Sequence, residues 1–280
     1  MRVFAPRRDD GSRPHAQTVR RNIRQSTVWR MPAPFYFLHI PKTAGSSVDR
    51  WLREHVGAKQ LCSAKLWDQL VAMKDGDLRR ARVFSGHFGA DLADFLEREL
   101  DVITVFRDPL RRTKSHYHHV YRDAGHPHHA RVAQQSFDEF VRDRANWAMI
   151  DNFQARYLVR SSTAFLREAR QRGSIASDGK LLSVAAEDAR YRFEPGFVRE
   201  QAFAALDSLK VVGVTDRLGS FLAATADAFG LPTSNHDTIP LENVAPRPSE
   251  SLVLSDEGLE IVRSLTTIDQ ALYDVVRARL

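Results

Sequence analysis

Cysteine is nearly absent from this chain. Cys62 is the one cysteine in 280 residues, so no internal disulfide can form and no cysteine-based metal site exists; a reducing compartment fits that usage. No stretch of about 18 apolar residues occurs, which leaves no candidate transmembrane helix. No Pro/Gly/Ser-rich linker, repeat or low-complexity tract divides the middle of the chain, so residues 35–280 read as a single domain. Residues 1–34 stand apart. Their arginine-rich run, "RRDDGSRPHAQTVRRNIRQ", lacks the apolar centre of a secretory signal and reads as a basic, mobile N-terminal segment. The formal net charge of +6 favours an anionic ligand, without choosing among nucleotide, nucleic acid, sulfated glycan and membrane surface. Aromatic residues do not interleave the basic runs as base-stacking platforms would, which argues against a nucleic-acid partner.

Periodicity predicts an α/β protein with a central parallel sheet flanked by helices and a helix-rich second half. Phe35 to Ile40, the segment "ARVFSGHFG", "DVITVF" and "LKVVGVTD" read as buried strands. Between and after them, "KLWDQLVAMKDG", "DLADFLEREL", "SFDEFVRDR", "MIDNFQARYLV", "FVREQAFAAL" and "LGSFLAATADAFGL" read as helices. Asp108 suits a helix N-cap and Pro109 the first helical position after it.

The stretch "FYFLHIPKTAGSSVDRWL" combines a strand, a small-residue turn and a helix start with Val48, Trp51 and Leu52 on one face. That is how a chain builds an anion site, because backbone N–H groups and the helix dipole both favour negative charge. The nucleotide triphosphatase loop, G-x-x-x-x-G-K-[ST], is missing: Lys42 precedes Gly45, Ser46 and Ser47 instead of following the glycines. A second junction, "FRDPLRRTKSHY", places Arg107 at the end of a strand and Ser115 eight residues on, where a guanidinium and a hydroxyl suit a second phosphate. Lys42, His87 and Arg107 each follow a predicted strand, the position where parallel sheets bind ligands. Two anion sites suit a nucleotide carrying phosphates at both ends of its ribose.

"HIPKTAGSS" together with "FRDPLRRTKSHY" resembles the P-loop-like sulfotransferases, of the carbohydrate 2-O-sulfotransferase type and its bacterial relatives. "GHF", "DNFQARYLV", "VGVTDRLGSF" and "LYDVVRARL" extend the resemblance over nearly the whole chain from residue 35. It implies the P-loop-like sulfotransferase fold and the donor 3'-phosphoadenosine 5'-phosphosulfate, with adenosine 3',5'-bisphosphate as product and no metal. Lys42 would contact the 5'-phosphosulfate and steady the leaving group. Thr43, Ala44, Gly45, Ser46 and Ser47 would wrap the 5'-phosphate, Arg107 and Ser115 would hold the 3'-phosphate, and His87 would be the catalytic base. One departure affects the acceptor: the family carries H-G-H where this chain has Ser85-Gly86-His87. The acceptor is expected to bear a hydroxyl, with a carbohydrate favoured over tyrosine, phenol or lipid alcohol, and the enzyme to be a cytoplasmic bacterial one.

Two other functions remain open. A kinase or other nucleotide triphosphatase would need the missing loop order and a magnesium carboxylate. A non-catalytic module binding anions or nucleic acid would account for the charge alone. Arg111 and Arg112 read as solvated, with phosphate or acceptor binding as the alternative; so does the histidine-rich run from His116 to His129, for which acceptor contact or metal binding are alternatives. Asn243 and Arg247 lie in a loop that would close over the nucleotide.

Overall fold

Buried apolar runs become strands at the expected places in the computed structural model, which describes residues 33–172, 176–177, 180–232 and 252–280. The basic segment up to residue 32, Asn243 and Arg247 fall outside the described residues. The strands are β1 (Phe35–Leu38), β2 (Val83–Gly86), β3 (Asp101–Phe106), a minimal hairpin of β4 (Ala176–Ser177) and β5 (Lys180–Leu181), and β6 (Val211–Val214). The helices of the first half are α1 (Gly45–His55), α2 (Trp67–Val71), α3 (Asp75–Arg80), α4 (Leu92–Leu96) and α5 (Pro109–Arg122). The second half adds α6 (His129–Val132), α7 (Phe137–Arg142), α8 (Phe153–Tyr157), α9 (Ala164–Arg172), α10 (Leu182–Tyr191) and α11 (Pro195–Ser208). After β6 come α12 (Leu218–Phe229), α13 (Asp256–Leu265) and α14 (Thr267–Arg279).

The main sheet is parallel with strand order β2-β1-β3-β6. Its strands alternate between two apolar layers, as a sheet covered on both faces requires. Phe35 and Phe37 point into one layer with Val48, Trp51 and Leu52 of α1 and Phe221 and Phe229 of α12. Tyr36 and Leu38 point into the other, with Trp67, Phe153, Tyr157, Leu206 and Leu272. In β3, Ile103 to Phe106 are wholly buried, while Asp101 and Val102 are partly covered.

Three expected helices are shorter than their patterns. "DLADFLEREL" stops at Leu96 because Glu97 turns left-handed (φ 51°), and Arg98 N–H donates to the Ala93 carbonyl at 3.1 Å. "KLWDQLVAMKDG" divides between α2 and α3. "MIDNFQARYLV" is broken at Asn152, which is also left-handed (φ 43°). Its side-chain Oδ1 accepts the Ile268 N–H at 2.8 Å. A tertiary bond to the start of α14 thus overrides helical propensity, at a residue type that tolerates this conformation.

The topology decides where ligands have room. The chain runs from β1 to β2 on one side, then crosses to β3 on the other side of β1. The strand order therefore reverses beside β1, and the crevice at such a reversal opens at the carboxyl ends of the strands. In register, Leu38 at the end of β1 pairs with Gly86 of β2 and Thr104 of β3.

Candidate functional site

The three strand ends place Lys42, His87 and Arg107 along one rim, with the β1 loop in the middle. The loop itself is strained. Lys42 (φ 74°) and Ala44 (φ 65°) are both left-handed although neither is glycine. Each such residue costs about 1–2 kcal/mol, and strain of this kind gathers at sites where the backbone is held for a purpose. Alternating handedness turns successive N–H groups toward one side, which makes an anion-binding concavity. Thr43 is buried and braces the turn, its hydroxyl donating to the Ile40 carbonyl at 2.9 Å. Ala44 occupies the cap position of α1 and supplies no side-chain cap. Ser46 is exposed and Ser47 is buried at the start of that helix.

Arg107 reaches across from β3. Its Nη1 donates to the Lys42 carbonyl at 3.1 Å. Gln154 of α8 clamps the Arg107 backbone, accepting its N–H and donating to its carbonyl, both at 2.9 Å. Asp108 is a helix cap as expected, accepting the Arg111 N–H at 2.8 Å. Ser115 is half-buried two turns into α5, and no hydrogen bond joins it to Arg107.

Arg112 is corrected from the solvated reading. It is 1% exposed. Its guanidinium lies 3.7 Å from the centre of the Phe153 ring, donates to the Met149 carbonyl at 2.5 Å, and makes a longer bond to the Pro41 carbonyl at 3.4 Å. It therefore supports the loop from beneath; Arg111 stays exposed. Burial, followed by repulsion from Arg107, Arg112 and Arg122, lowers the pKa of Lys42. A bound anion would relieve that crowding of positive charge.

His87 stands on the other flank of β1. Its backbone N–H donates to the Lys65 carbonyl at 2.8 Å. Its Nδ1 lies 2.8 Å from the His39 carbonyl. A carbonyl only accepts, so Nδ1 carries the proton, and Nε2 of the neutral ring carries the lone pair. Burial pushes the pKa down to about 4, against the raising effects of the His39 carbonyl and of Asp49. The ring is thus neutral near pH 7 and oriented as a base is oriented. Asp49 of α1 is itself buried, accepting from Lys65 Nζ at 2.6 Å and from the Ser85 hydroxyl. Ser85 therefore holds a carboxylate close enough to act on His87.

The solvated reading of the histidine run is corrected at His116; the other histidines of the run are partly exposed. His116 is buried, and the His116, His119 and His126 rings are separated by 6.5, 6.1 and 5.6 Å. His116 and His119 both feel the charge of Lys42, and His119 acts on His87, so this face of α5 borders the rim. No group of three or more histidine, cysteine or acidic side chains suited to a metal occurs among the described residues. A recess of about 880 Å³ lies at the amino-terminal ends of β1 and β3, walled by Pro34, Asp94, Glu97, Asp101, Arg160 and Arg167, away from these groups.

No protein-family model matches the chain, and no curated protein matches it. Sequence reasoning passed over His39, Asp49, Lys65 and Gln154. Their partners lie on other elements, 16 to 48 positions away, and no local spacing announces them. His39 alone carried a signal, as a polar residue ending an apolar strand beside the loop. No helix among the described residues is long and apolar enough to cross a membrane.

Proposed function

We propose that this protein is a sulfotransferase that moves a sulfuryl group from 3'-phosphoadenosine 5'-phosphosulfate to an acceptor hydroxyl, with carbohydrate acceptors favoured, on a P-loop-like sulfotransferase fold. The observation that carries the proposal is the placement of two anion-suited junctions, the Lys42 loop and Arg107, on adjacent strands and bonded at 3.1 Å, with an oriented neutral histidine on the remaining flank. The residues fit the donor: a strained loop at a helix start suits its 5'-phosphosulfate, and a guanidinium bonded to that loop suits its 3'-phosphate. Ser115 would assist Arg107 there.

Bound, the donor supplies a sulfuryl group on a phosphate leaving group. His87 Nε2 takes the proton from the acceptor hydroxyl as the new S–O bond forms. The old S–O bond breaks, with its electron pair passing to the phosphate oxygen. Lys42 steadies the charge developing on that oxygen. Asp49 sits where it favours the imidazolium that results.

Thermal melts test the proposal. A ligand that binds only the folded state stabilises it by about 2.7 kcal/mol at 100 times its Kd. Adenosine 3',5'-bisphosphate, without magnesium, should raise the Tm far more than 5'-AMP. Equal shifts remove the case for a 3'-phosphate site, and a shift with magnesium-ATP alone favours the kinase reading.

A further inference from the structure

A second histidine occupies the middle of the rim. His39 directly follows β1, and its N–H donates to the Gly86 carbonyl at 3.1 Å, so the residue is fixed between the two flanking strand ends. Its ring lies 4.1 Å from that of His87, centre to centre, and stacks on Phe37 at 5.5 Å. On the other side it covers the first residue of α1. A Cβ added to Gly45 would fall 1.6 Å from His39 Nε2. The small residue at the start of the helix thus makes room for this imidazole. Yet the ring is only half-buried, and no described residue hydrogen-bonds to either of its nitrogens. Lys42 is three residues away along the loop; burial first, and then the neighbouring His87, Lys65 and Lys42, disfavour protonation of the ring. A neutral imidazole presents one N–H donor.

These positions have a consequence if the site transfers a sulfuryl group, the reading on which this inference rests. The base His87 and the leaving-group cation Lys42 must stand on opposite sides of the transferring group. His39 lies between them. We propose that His39 is a further catalytic residue, whose ring N–H contacts an oxygen of the sulfuryl group itself. The bonds made and broken are unchanged: the acceptor proton goes to His87, the leaving oxygen keeps its electron pair, and His39 neither gains nor loses a proton. The pairing of rings from β1 and β2 also gives this chain two adjacent histidines although Ser85 occupies the first H-G-H position.

Two ligands that differ by one group test the proposal. The phosphosulfate donor carries the sulfuryl; adenosine 3',5'-bisphosphate lacks it. Their Kd values are to be measured by calorimetry without acceptor, for wild type, His39→Ala and His39→Phe. Both variants lose the N–H, while phenylalanine keeps a ring against Phe37. The donor should bind at least tenfold more weakly to each variant, and the bisphosphate within twofold of wild type. His39→Gln, which restores an N–H donor, should recover part of the loss. Equal weakening of both ligands, or no weakening of either, overturns the proposal and leaves the sulfotransferase reading standing. Failure of both ligands to bind the wild type overturns that reading and this inference together. A melting temperature for each variant distinguishes lost contact from lost fold; if either alanine or phenylalanine unfolds the chain, the other variant and glutamine decide.

Discussion

Arg190 and Arg107 show two ways of keeping a guanidinium in this fold. Arg190 is 2% exposed and Asp91 is 0% exposed; Nη2 of the arginine donates to Asp91 at 2.9 Å and to the Phe88 carbonyl at 2.7 Å. The guanidinium also lies 5.1 Å from the centre of the Tyr157 ring. Gly89, left-handed at φ 64°, leaves space for it, since an added Cβ would come within 2.5 Å of the guanidinium. Asp91 in turn accepts from the Ser161 backbone and hydroxyl. The charge is compensated inside the protein. Arg107 is half-buried, bonds to a carbonyl, and has no salt bridge with a described residue. Burial and then repulsion from Arg111 lower its pKa, opposed by Asp216 and Asp108. Arg190 brings its counter-charge with it, although its Nε and Nη1 find no hydrogen-bond partner among the described residues; Arg107 has no bonded counter-charge, and an anionic ligand can supply one.

The sharpest way to break this contrast is to ask whether the rim performs chemistry at all. His87→Ala should lower the single-turnover rate by about 10²–10⁴-fold, the usual contribution of a positioned base. Affinity for adenosine 3',5'-bisphosphate should stay within about twofold, because His87 belongs to neither anion junction. The wild-type rate should fall on acidification with a limb near pH 4, where His87 protonates, and the variant should lack that limb. Single-turnover measurement is needed because slow nucleotide release would mask the step in kcat. A folded variant with a near-normal rate would leave Lys42 and His39 as the remaining candidates for chemistry.

The next effects divide the two arginines directly. Arg190→Met leaves the Asp91 charge buried without its partner and should cost about 3–5 kcal/mol of stability in urea melts, while the folded fraction keeps its affinity for the bisphosphate. Arg107→Ala should do the reverse. It should weaken that affinity by about 1.5–3 kcal/mol, the range for a hydrogen bond to a charged group, with stability lowered only by about 0.5–1.5 kcal/mol for the lost bond to the Lys42 carbonyl. Arg107→Lys should recover only part, since an ammonium cannot present a fork. If both variants lose stability equally, the distinction between a structural and a binding arginine is wrong.

The contrast also separates what the sequence reveals from what it hides. The strands, the loop and the Asp108 cap were legible because each is local: a β-branched run, a small-residue turn before an apolar face, an Asp-Pro pair. That β1 lies between β2 and β3 was not, because strand order depends on crossovers that leave no periodicity. Arg111 and Arg112 are adjacent in "PLRRT", yet one is exposed and the other is 1% exposed. A charged side chain enters the interior when partners wait there, and those of Arg112, the Phe153 ring and the Met149 carbonyl, come from residues about 40 positions on. His116 was hidden for the same reason: composition makes its segment look solvated, while packing against Phe153 at 5.7 Å buries it.

The smallest expected effect concerns where acid sensitivity resides. His87 titrates near pH 4 in the folded chain, and His39 and His116 well below the ordinary histidine range, with burial the first cause in each. All three sit at the rim, and none of them touches Arg190. A histidine with a depressed folded pKa binds fewer protons folded than unfolded, so its contribution to stability is present above about pH 6.5 and is lost as pH falls toward the folded value. For His87 the loss between pH 7 and 5.5 comes to about 1 kcal/mol. Asp269 works in the opposite sense: burial raises its pKa to about 6, so it favours the folded state more as pH falls through that value. Glu187 is raised by burial in the same sense, but His126 is also lowered to about 4 by burial; four depressed histidines outnumber two raised carboxyls, and the protein should become less stable from pH 7 to 5.5. His87→Gln should flatten that dependence by about 1 kcal/mol. Arg190→Met should instead shift the curve downward, with any change of slope confined to Glu187, whose carboxyl the Arg190 charge pulls down against burial. Loss of the His87→Gln flattening in an Arg190→Met background would mean that the two regions share their protons, and that Glu187, which accepts from the Tyr157 hydroxyl at 2.6 Å, and the rim histidines must be treated as one network.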